Sequence, residues 1–355
     1  IAHWLQQIAY TRFSFKMAGT PSYLMHRTDQ YLVEYLSSRN EHFKILKQQY
    51  LYLIGFKAII AMALLVIGGV LVINQTMNIG QFVAAEIIIL LILSSVEKLI
   101  VSLETVYDLF TAIEKIGQVT DLPLEGKSGM DIPHSELGFE IDFHNIRYEN
   151  DLTSQTLLEG ATFSINPNAR AIFRTDNTVS TNLIFGLIAG IYNPKEGSLS
   201  INNIPLGNLN RTFLRNRIGN MLTQDLLVHA TVLENITLGR DYVTFGEVQT
   251  LCDRLMLSKQ IQHLKEGYDT LLNPEGHFLA KDCIRKILIA RALVGSPKLI
   301  LLEEPLQDIK VDERDAILNV ILSPENTTIL IQTDDELIIN RATNCITITQ
   351  GNILH

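Results

Sequence analysis

The sequence has little cysteine and few charged residues. Its three cysteines, Cys252, Cys283 and Cys345, are far apart, and none stands in a CxxC pair or beside a histidine at metal-ligand spacing. This argues against a disulfide framework and a zinc site, and it favours buried thiols in a reduced compartment. Charged residues make up 19% of the chain and give a formal net charge of −9, which argues against nucleic acid as a partner.

Charge is scarcest in two long hydrophobic runs. Residues 50–73 hold a single charge, Lys57, and a helix of that length covers about 36 Å, enough to span a bilayer. Residues 82–103 carry three charges, which is typical of a span that packs against other protein. The mean hydropathy of +0.17 also favours contact with lipid. The runs predict two transmembrane helices; the alternative is buried helices of a soluble core, which are usually shorter.

The basic residues predict the orientation of these spans. Residues 1–49 carry six arginines and lysines, whereas the short segment 74–81 between the spans carries none. The positive-inside rule then places both outer flanks in the cytoplasm and the short segment outside. Glu86 lies near the outer end of the second span, where a carboxylate reaches headgroups or water, and a proton or substrate role is the alternative. A chain that starts at isoleucine without a signal peptide is typical of part of a longer polypeptide.

A linker separates this membrane-type part from the rest of the chain. Residues 23–50 and 104–125 mix apolar and charged residues at helical spacing, which predicts helices that continue into the cytoplasm. Residues 126–138 are rich in glycine, serine and proline and have no apolar periodicity, which predicts a linker. The sequence therefore divides into a first domain over residues 1–125 and a second over residues 139–355.

The pattern of the second domain is that of an α/β fold. Residues 139–148 alternate as a strand does, and residues 157–165 predict a second strand after a turn. Residues 297–305 and 327–333 are short apolar strands flanked by helical stretches, as in a doubly wound sheet. Such sheets bind ligands at the carboxyl ends of their strands, and two adjacent glutamates fall at one such end.

Residues 170–203 have the outline of a phosphate-binding turn without its residues. An apolar run is followed by a polar turn, an apolar helix that ends at Gly190 and a hairpin at 196–203, the frame around a glycine-rich nucleotide loop. Glycine lets backbone amides approach phosphate, and lysine supplies positive charge. This turn contains neither, and the nearby cations, Arg170 and Arg174, precede it. The order of elements predicts a nucleotide-binding fold, whereas the residues argue against phosphate binding.

Four further segments accompany this turn. IRYEN, which contains Tyr148, precedes the turn, and residues 219–239, 265–305 and 327–354 come after it. With this order and spacing, residues 139–355 resemble the nucleotide-binding domain of ABC transporters. Residues 1–125 resemble an intracellular coupling segment and the last two of the six spans of an exporter-type transmembrane domain, in the style of the peptide and type I secretion branch. The resemblance implies an α-helical membrane segment, two transmembrane helices with cytoplasmic extensions, followed by an α/β ABC-type P-loop NTPase domain.

The resemblance also implies which residues stand at the positions that bind ATP in the family. Tyr148 stands where the family stacks adenine on an aromatic ring. The phosphate loop falls on nine residues, with the lysine position at the seventh: Thr175, Asp176, Asn177, Thr178, Val179, Ser180, Thr181, Asn182 and Leu183. The signature motif falls on Leu279, Ala280, Lys281, Asp282 and Cys283. It therefore places a carboxylate, that of Asp282, where a partner's phosphate would meet a serine and backbone amides.

The remaining positions concern Mg²⁺ and catalysis. Glu303 stands at the metal-binding aspartate position, and Gln224, or Thr223 by ungapped spacing, stands at the metal-contacting glutamine. Glu304 keeps the general-base position, whereas Thr333 replaces the switch histidine. Simpler explanations stay open: an aromatic ring that only packs, a solvated glutamine, and a surface patch of two acids.

These departures imply that hydrolysis is impaired or absent, and three functions stay open. The first is a working exporter subunit that couples ATP to export as one half of a dimer. The second is a non-hydrolysing structural partner in a heterodimer, and the third is a decayed, truncated copy without a transport role. The resemblance implies ATP and Mg²⁺ as cofactors and a second half-transporter, membrane lipid and a periplasmic adaptor protein as partners. It implies a multi-pass protein of the inner (cytoplasmic) membrane whose nucleotide-binding domain lies in the cytoplasm.

Overall fold

The computed structural model of the 355-residue chain has two compact units, Ile1–Leu124 and Glu125–His355. It describes every residue except 1, 20, 123, 126–128, 134, 150–155, 176–177, 223–225, 275–278, 350–351 and 355. The description also leaves out the side chains of residues 13, 100, 101, 103, 104, 175, 178–181, 349 and 352–354.

The first unit is built from helices. They are α1 (Ala2–Tyr10), α2 (Arg12–Ala18), α3 (Pro21–Ile73) and α4 (Ile79–Thr120). Asn78 begins α4 through a capping box, in which its side chain accepts from the Gln81 N–H and the Gln81 side chain accepts from the Asn78 N–H. This exchange satisfies amides that the first turn of a helix leaves free. The predicted pair of long helices is confirmed, with α4 starting at residue 79 and not at 82.

Two stretches of these helices are long and apolar enough to cross a membrane, by length and composition. The most apolar windows have mean hydropathies of 2.6 within Pro21–Ile73 and 2.2 within Ile79–Leu99, and 6% of each window is buried. A core helix of a soluble protein buries most of its apolar surface. The exposure of both windows therefore argues against the alternative of soluble core helices.

The second unit combines three sheets with eight α-helices among the described residues. The strands are β1 (Ile141–Glu149), β2 (Thr156–Ile165), β3 (Arg170–Thr175), β4 (Glu196–Ile201), β5 (Ile204–Pro205), β6 (Ile218–Met221), β7 (Ala230–Thr231), β8 (Leu271–Leu272), β9 (Leu299–Glu303), β10 (Thr328–Gln332), β11 (Asn344–Thr349) and β12 (Asn352–Leu354). The helices are α5 (Thr178–Ile188), α6 (Arg211–Arg215), α7 (Val232–Thr237), α8 (Phe245–Arg254), α9 (Ser258–Gln262), α10 (Lys281–Leu293), α11 (Val311–Leu322) and α12 (Glu336–Ile339).

The largest sheet has six strands in the order β12-β11-β3-β10-β9-β6, and its neighbours from β11 to β6 are parallel. A four-stranded sheet, β2-β1-β4-β5, is antiparallel, and β7 pairs with β8. The predicted α/β class is confirmed. The strand predicted over 297–305 shortens to β9, because Pro297 and Pro305 have no N–H to donate to the ladder.

The core lies on both faces of the six-stranded sheet. Alternate residues of β9 belong to two hydrophobic clusters: Leu299 and Leu301 to one, Ile300 and Leu302 to the other. This alternation follows from the two-residue period of side chains along a strand. The first cluster includes the phenylalanines of β2, β3 and α5, whose rings meet edge to face at 5.8 and 5.9 Å between centroids. Helix α10 packs into the second cluster.

The start of the second unit is held by an ionic contact. Arg215 and Arg211 of α6 donate to the Glu125 carboxylate, with Arg215 Nη1 2.6 Å from Glu125 Oε2. These hydrogen bonds, Arg215 first, lower the pKa of Glu125 to about 2. Further along, Ile132 is 5% exposed and belongs to the core. Within the predicted linker, Ile132 therefore packs into the core of the second unit.

The cysteines divide into two environments. Cys252 and Cys283 are buried, as expected, and burial raises the pKa of each thiol to about 11. Cys345 in β11 is exposed, contrary to the expectation of a buried thiol.

Candidate nucleotide site

The carboxyl ends of three parallel strands meet at one edge of the six-stranded sheet. β3 ends at Thr175, β9 at Glu303 and β10 at Gln332, and β10 lies between the other two. In open α/β sheets, ligands bind beyond these ends. The residues that follow the three strands, together with the amino end of α5, therefore form the candidate site.

The connection from β3 to α5 is shorter than the sequence predicted. Helix α5 starts at Thr178, so residues 176 and 177 alone separate it from β3. Ser180 and Thr181 are helical and do not belong to an open loop. Glycine is the residue that adopts the left-handed conformations of a wide phosphate loop, and none is present here. Asp176 and Asn177 lie outside the described residues, as do the side chains of Thr175, Thr178, Val179, Ser180 and Thr181.

The last two predicted loop positions, Asn182 and Leu183, lie within α5. Leu183 is 4% exposed and belongs to the core cluster around Phe185. Its side chain therefore stabilises the sheet and does not line a ligand site, which corrects the prediction for this residue. Asn182 is half-buried, and its Oδ1 is buried without a hydrogen-bond partner among the described residues.

The two arginines of β3 lie at opposite ends of the strand. The Arg170 guanidinium donates to the carbonyl oxygens of Leu322 and Pro324, at 2.9 and 3.2 Å from Nη2. Arg170 begins β3 and precedes the turn, as predicted, but it lies away from the carboxyl edge. Arg174 does lie at the edge, with Nε 3.5 Å from Asp334 Oδ1. Its charge is therefore partly neutralised by a carboxylate of the chain itself.

Glu304 and Thr333 are in direct contact. Thr333 Oγ1 donates to Glu304 Oε2 at 2.9 Å, and the Asp334 N–H donates to Glu304 Oε1 at 3.3 Å. Glu304 has a φ of 44°, a strained region for a residue other than glycine, and its N–H donates to the Gln332 carbonyl at 2.8 Å. Burial raises the pKa of Glu304, against the two hydrogen bonds, which lower it. The carboxylate of Glu304, the predicted general base, is thus held by hydrogen bonds from Thr333 and Asp334.

Glu303 is buried. It is 1% exposed, so the alternative of a surface patch of two acids is wrong for this residue. Glu303 faces the interior because it ends a strand that is buried along its whole length. Gln224, its predicted neighbour around magnesium, and Thr223 lie outside the described residues. Within the described part of the chain, no group of three or more His, Cys, Asp or Glu residues is placed to hold a metal ion.

Tyr148 has an aromatic neighbour that the sequence did not predict. Its ring centroid lies 5.8 Å from that of Tyr192, with an interplanar angle of 60°. Tyr192 is 42% exposed and follows α5, where a Cβ on Gly186 would meet its ring. Tyr148 therefore packs against another aromatic ring of the second unit.

The comparison with known families decides what this fold is. Residues 158–307 match the family described as ABC transporter, a range that runs from β2 past the end of β9 and includes α5 and α10. The second unit contains an ABC transporter domain. This family uses ATP and Mg²⁺ in general.

Individual relatives agree with this assignment. The alpha-hemolysin translocation ATP-binding protein HlyB of Escherichia coli O157:H7 is 26% identical over 267 residues, 74% of this chain and 37% of the relative. The leukotoxin export ATP-binding protein LtxB of Aggregatibacter actinomycetemcomitans is 26% identical over 291 residues, 81% of this chain and 41% of the relative. The chain is homologous to these exporters, which confirms the predicted resemblance. It spans about two fifths of their length.

A solved structure shows the same fold. The structure of a bacterial Atm1-family ABC exporter with ATP bound matches with a TM-score of 0.85 at 18% identity. The match covers 99% of this chain and 62% of that chain. The order of helices followed by an α/β domain is therefore that of an ABC exporter.

The signature positions of this ABC transporter domain lie at the amino end of α10. Asp282 is 7% exposed, and its carboxylate accepts from Gln260 Nε2 at 2.8 Å. The prediction of a carboxylate that faces a partner's phosphate is thus corrected, because α9 supplies a donor inside the domain. Leu279 packs on the core, and Ala280 is the N-cap residue of α10. Lys281 is exposed, and Cys283 is buried.

The residues at the carboxyl edge of the ABC transporter domain do not fit Mg-ATP. The lysine position, Thr181, has no charge and is part of a helix. Arg174 is paired with Asp334, and Glu304 is hydrogen-bonded to Thr333. Phosphate binding requires converging amides and a cation that is free to meet the ligand.

Sequence reasoning missed Asp334 and Tyr192. Asp334 directly follows Thr333, the predicted switch position. Its proximity to Glu304 can therefore be inferred once β9 and β10 are known to be neighbours. Its pairing with Arg174 depends on β3 lying on the other side of β10. Tyr192 follows the helix that Gly190 ends, and nothing in its sequence context indicates that it meets Tyr148.

Proposed function

We propose that this chain is a subunit of an ABC-type exporter: a half-transporter that pairs with a second half and hydrolyses little or no ATP. One observation carries the proposal: Thr333 Oγ1 donates to Glu304 Oε2 at 2.9 Å. The family's base and switch positions are therefore bound to each other.

The chemistry supports an inactive site. A general base has to accept a proton from the attacking water, so its carboxylate must reach that water. Each Glu304 oxygen accepts one hydrogen bond from the domain, which leaves fewer acceptor sites for that water. Phosphoryl transfer also needs a cation and amides around the phosphates, placed together with the base. The turn before α5 offers neither glycine nor lysine.

A structural partner in a heterodimer is the form of this function that the fold favours. Among the described residues, the buried aromatic rings of β2, β3 and α5 and the apolar residues of β9 and β10 belong to two hydrophobic core clusters. A decayed copy, which is the competing proposal, would be expected to carry polar substitutions in the core as well as in the site. The substitutions instead fall at the positions that handle ATP.

The cellular setting follows from the relatives and the two apolar helices. We propose a multi-pass protein of the inner (cytoplasmic) membrane whose ABC transporter domain lies in the cytoplasm and whose partners are a second half-transporter and a periplasmic adaptor protein. The names of the relatives, which concern translocation of alpha-hemolysin and export of leukotoxin, support a polypeptide as cargo.

The turn between α3 and α4 is expected to face outward. Asn74 is exposed in this turn, and its side chain takes no part in the cap of α4, unlike that of Asn78. An impermeant thiol reagent added to intact cells should therefore label Asn74→Cys fully. It should leave Ser37→Cys, an exposed position on the cytoplasmic extension of α3, unlabelled until the cells are opened. Labelling of Ser37→Cys alone in intact cells means that the orientation is reversed.

Mg-ATP is expected to bind the full chain weakly or not at all. A charge-assisted hydrogen bond contributes about 1.5–3 kcal/mol, so losing the lysine and two loop amides weakens binding by more than about 10³-fold. Calorimetric titration of the full chain in detergent should show no binding tighter than about 1 mM.

Phosphate release provides the matched control for this result. Glu304→Gln removes the base and keeps the shape of the side chain, so its rate should equal that of the unchanged chain. Micromolar binding of Mg-ATP, or phosphate release that Glu304→Gln abolishes, contradicts the proposed inactive site.

A further inference from the structure

Helices α3 and α4 of the first unit meet along a seam. The partly buried or buried residues of the apolar part of each helix recur every three or four positions. On α3 they include Leu53, Lys57, Ile60, Leu64 and Gly68, and on α4 they include Phe82, Glu86, Ile89, Leu93 and Glu97. This is the spacing of one face of a helix. The seam therefore runs along two facing helices that are joined by the turn at 74–78.

The outer end of the seam contains a close contact between two uncharged residues, one turn away from Glu86. Gly68 is buried, and a Cβ at this position would overlap the ring of Phe82. Small residues of this kind let helices approach each other in membranes. The Gly68–Phe82 contact therefore fixes the two helices near their turn.

The inner part of the seam contains an ion pair. Lys57 Nζ donates to Glu97 Oε2, and the two side chains are 32% and 35% exposed. Lys57 lies 16 residues before the end of α3 and Glu97 lies 18 residues after the start of α4, which is about 24 and 27 Å from the outer ends of the helices. A hydrocarbon core is about 30 Å thick, so both charges fall inside it, toward the cytoplasmic side.

We propose that Lys57 and Glu97 are positioning residues whose ion pair sets the register of the two spans in the membrane. The inference rests on the proposed membrane location. A charge in a span is costly unless it meets a partner. Sliding one helix by a single turn shifts it by about 5.4 Å and separates the two charges. The pair therefore favours the one register in which Gly68 also meets Phe82.

Lys98 offers a matched comparison within the same helix. It follows Glu97 directly but is exposed and lies off the seam. Residues one position apart point to different sides of a helix. Reversing the charge at Lys98 changes net charge and hydropathy as much as reversing Lys57, without placing like charges against each other in the seam.

The test uses the full chain in native membranes, with Cys252, Cys283 and Cys345 replaced by alanine. Ile60→Cys and Leu93→Cys are then introduced between the two contacts of the seam, and the rate of oxidative cross-linking is measured. Lys57→Glu and Glu97→Lys should each slow the cross-link by about tenfold, because each places like charges together. The Lys57→Glu/Glu97→Lys exchange should restore the rate, and Lys98→Glu should leave it unchanged.

Each outcome decides the proposal. Equal rates in all four charge variants overturn it, and so do two slow single variants that the exchange does not rescue. Outside labelling of Asn74→Cys and of Ser37→Cys is measured in the same cells. If Asn74→Cys or Ser37→Cys, but not both, is labelled in intact cells and the cross-linking rates are equal, the membrane location stands and the register role fails. If the two positions are labelled alike, the membrane location fails and the inference falls with it.

Discussion

Gly219→Ala is expected to prevent folding of the second unit. Gly219 lies in β6, where α10 packs directly on the strand, and a Cβ there would overlap the Ala292 carbonyl oxygen and lie 2.8 Å from its carbon. Backbone atoms of a buried helix cannot move aside as a flexible side chain does. We expect a loss of more than about 4 kcal/mol, a large part of the 5–15 kcal/mol that holds a typical domain together.

The measurement is thermal unfolding of the purified full chain, with Gly207→Ala as the control. Gly207 is exposed, and nothing lies within 4 Å of a Cβ built there. The control should unfold at the temperature of the unchanged chain, whereas Gly219→Ala should yield aggregated or unfolded protein. Normal unfolding of Gly219→Ala contradicts the close packing of α10 on β6.

Glu313→Ala is expected to lower the free energy of unfolding by about 3–5 kcal/mol. Glu313 Oε2 on α11 lies 2.6 Å from Lys286 Nζ on α10, and the Lys286 side chain is fully buried. Removing the carboxylate leaves an ammonium group inside the domain without its partner. A buried charge of this kind costs far more than the loss of one contact between exposed groups.

The same helix supplies the control for this prediction. Asp315 Oδ1 lies 2.7 Å from Arg341 Nη2, but the two side chains are 64% and 37% exposed. Asp315→Ala should therefore cost about 0–1 kcal/mol in denaturant unfolding of the full chain. Adding Lys286→Met to Glu313→Ala should recover most of the lost stability. Equal effects of Glu313→Ala and Asp315→Ala would show that Lys286 reaches water.

The core and the candidate site of this chain depend on their residues in different ways. The core depends on apolar volume and strand alternation, which many residues satisfy. Phosphate transfer depends on single groups at fixed positions, and the effects of losing them are not additive. A chain can therefore keep the ABC transporter fold, as residues 158–307 do, whichever residues occupy the predicted lysine and switch positions, Thr181 and Thr333.

The sequence alone determined the elements, because their signals are local. Two long apolar runs predicted the membrane-type parts of α3 and α4, alternation predicted β1, a strand after a turn predicted β2, and short apolar runs predicted β9 and β10. Hydrophobic periodicity needs only neighbouring residues to be read. The missing glycine and lysine before α5 were equally visible, since they are absences of residue types at known positions.

Tertiary structure alone decided which side chains meet. The sequence placed Asp282 toward a partner, whereas packing turns its carboxylate to Gln260. Thr333 meets Glu304 across 29 residues of sequence, and Lys57 meets Glu97 across 40. Such contacts depend on strand order and helix register, and these are set by how the whole core packs and not by any residue's neighbours in the chain.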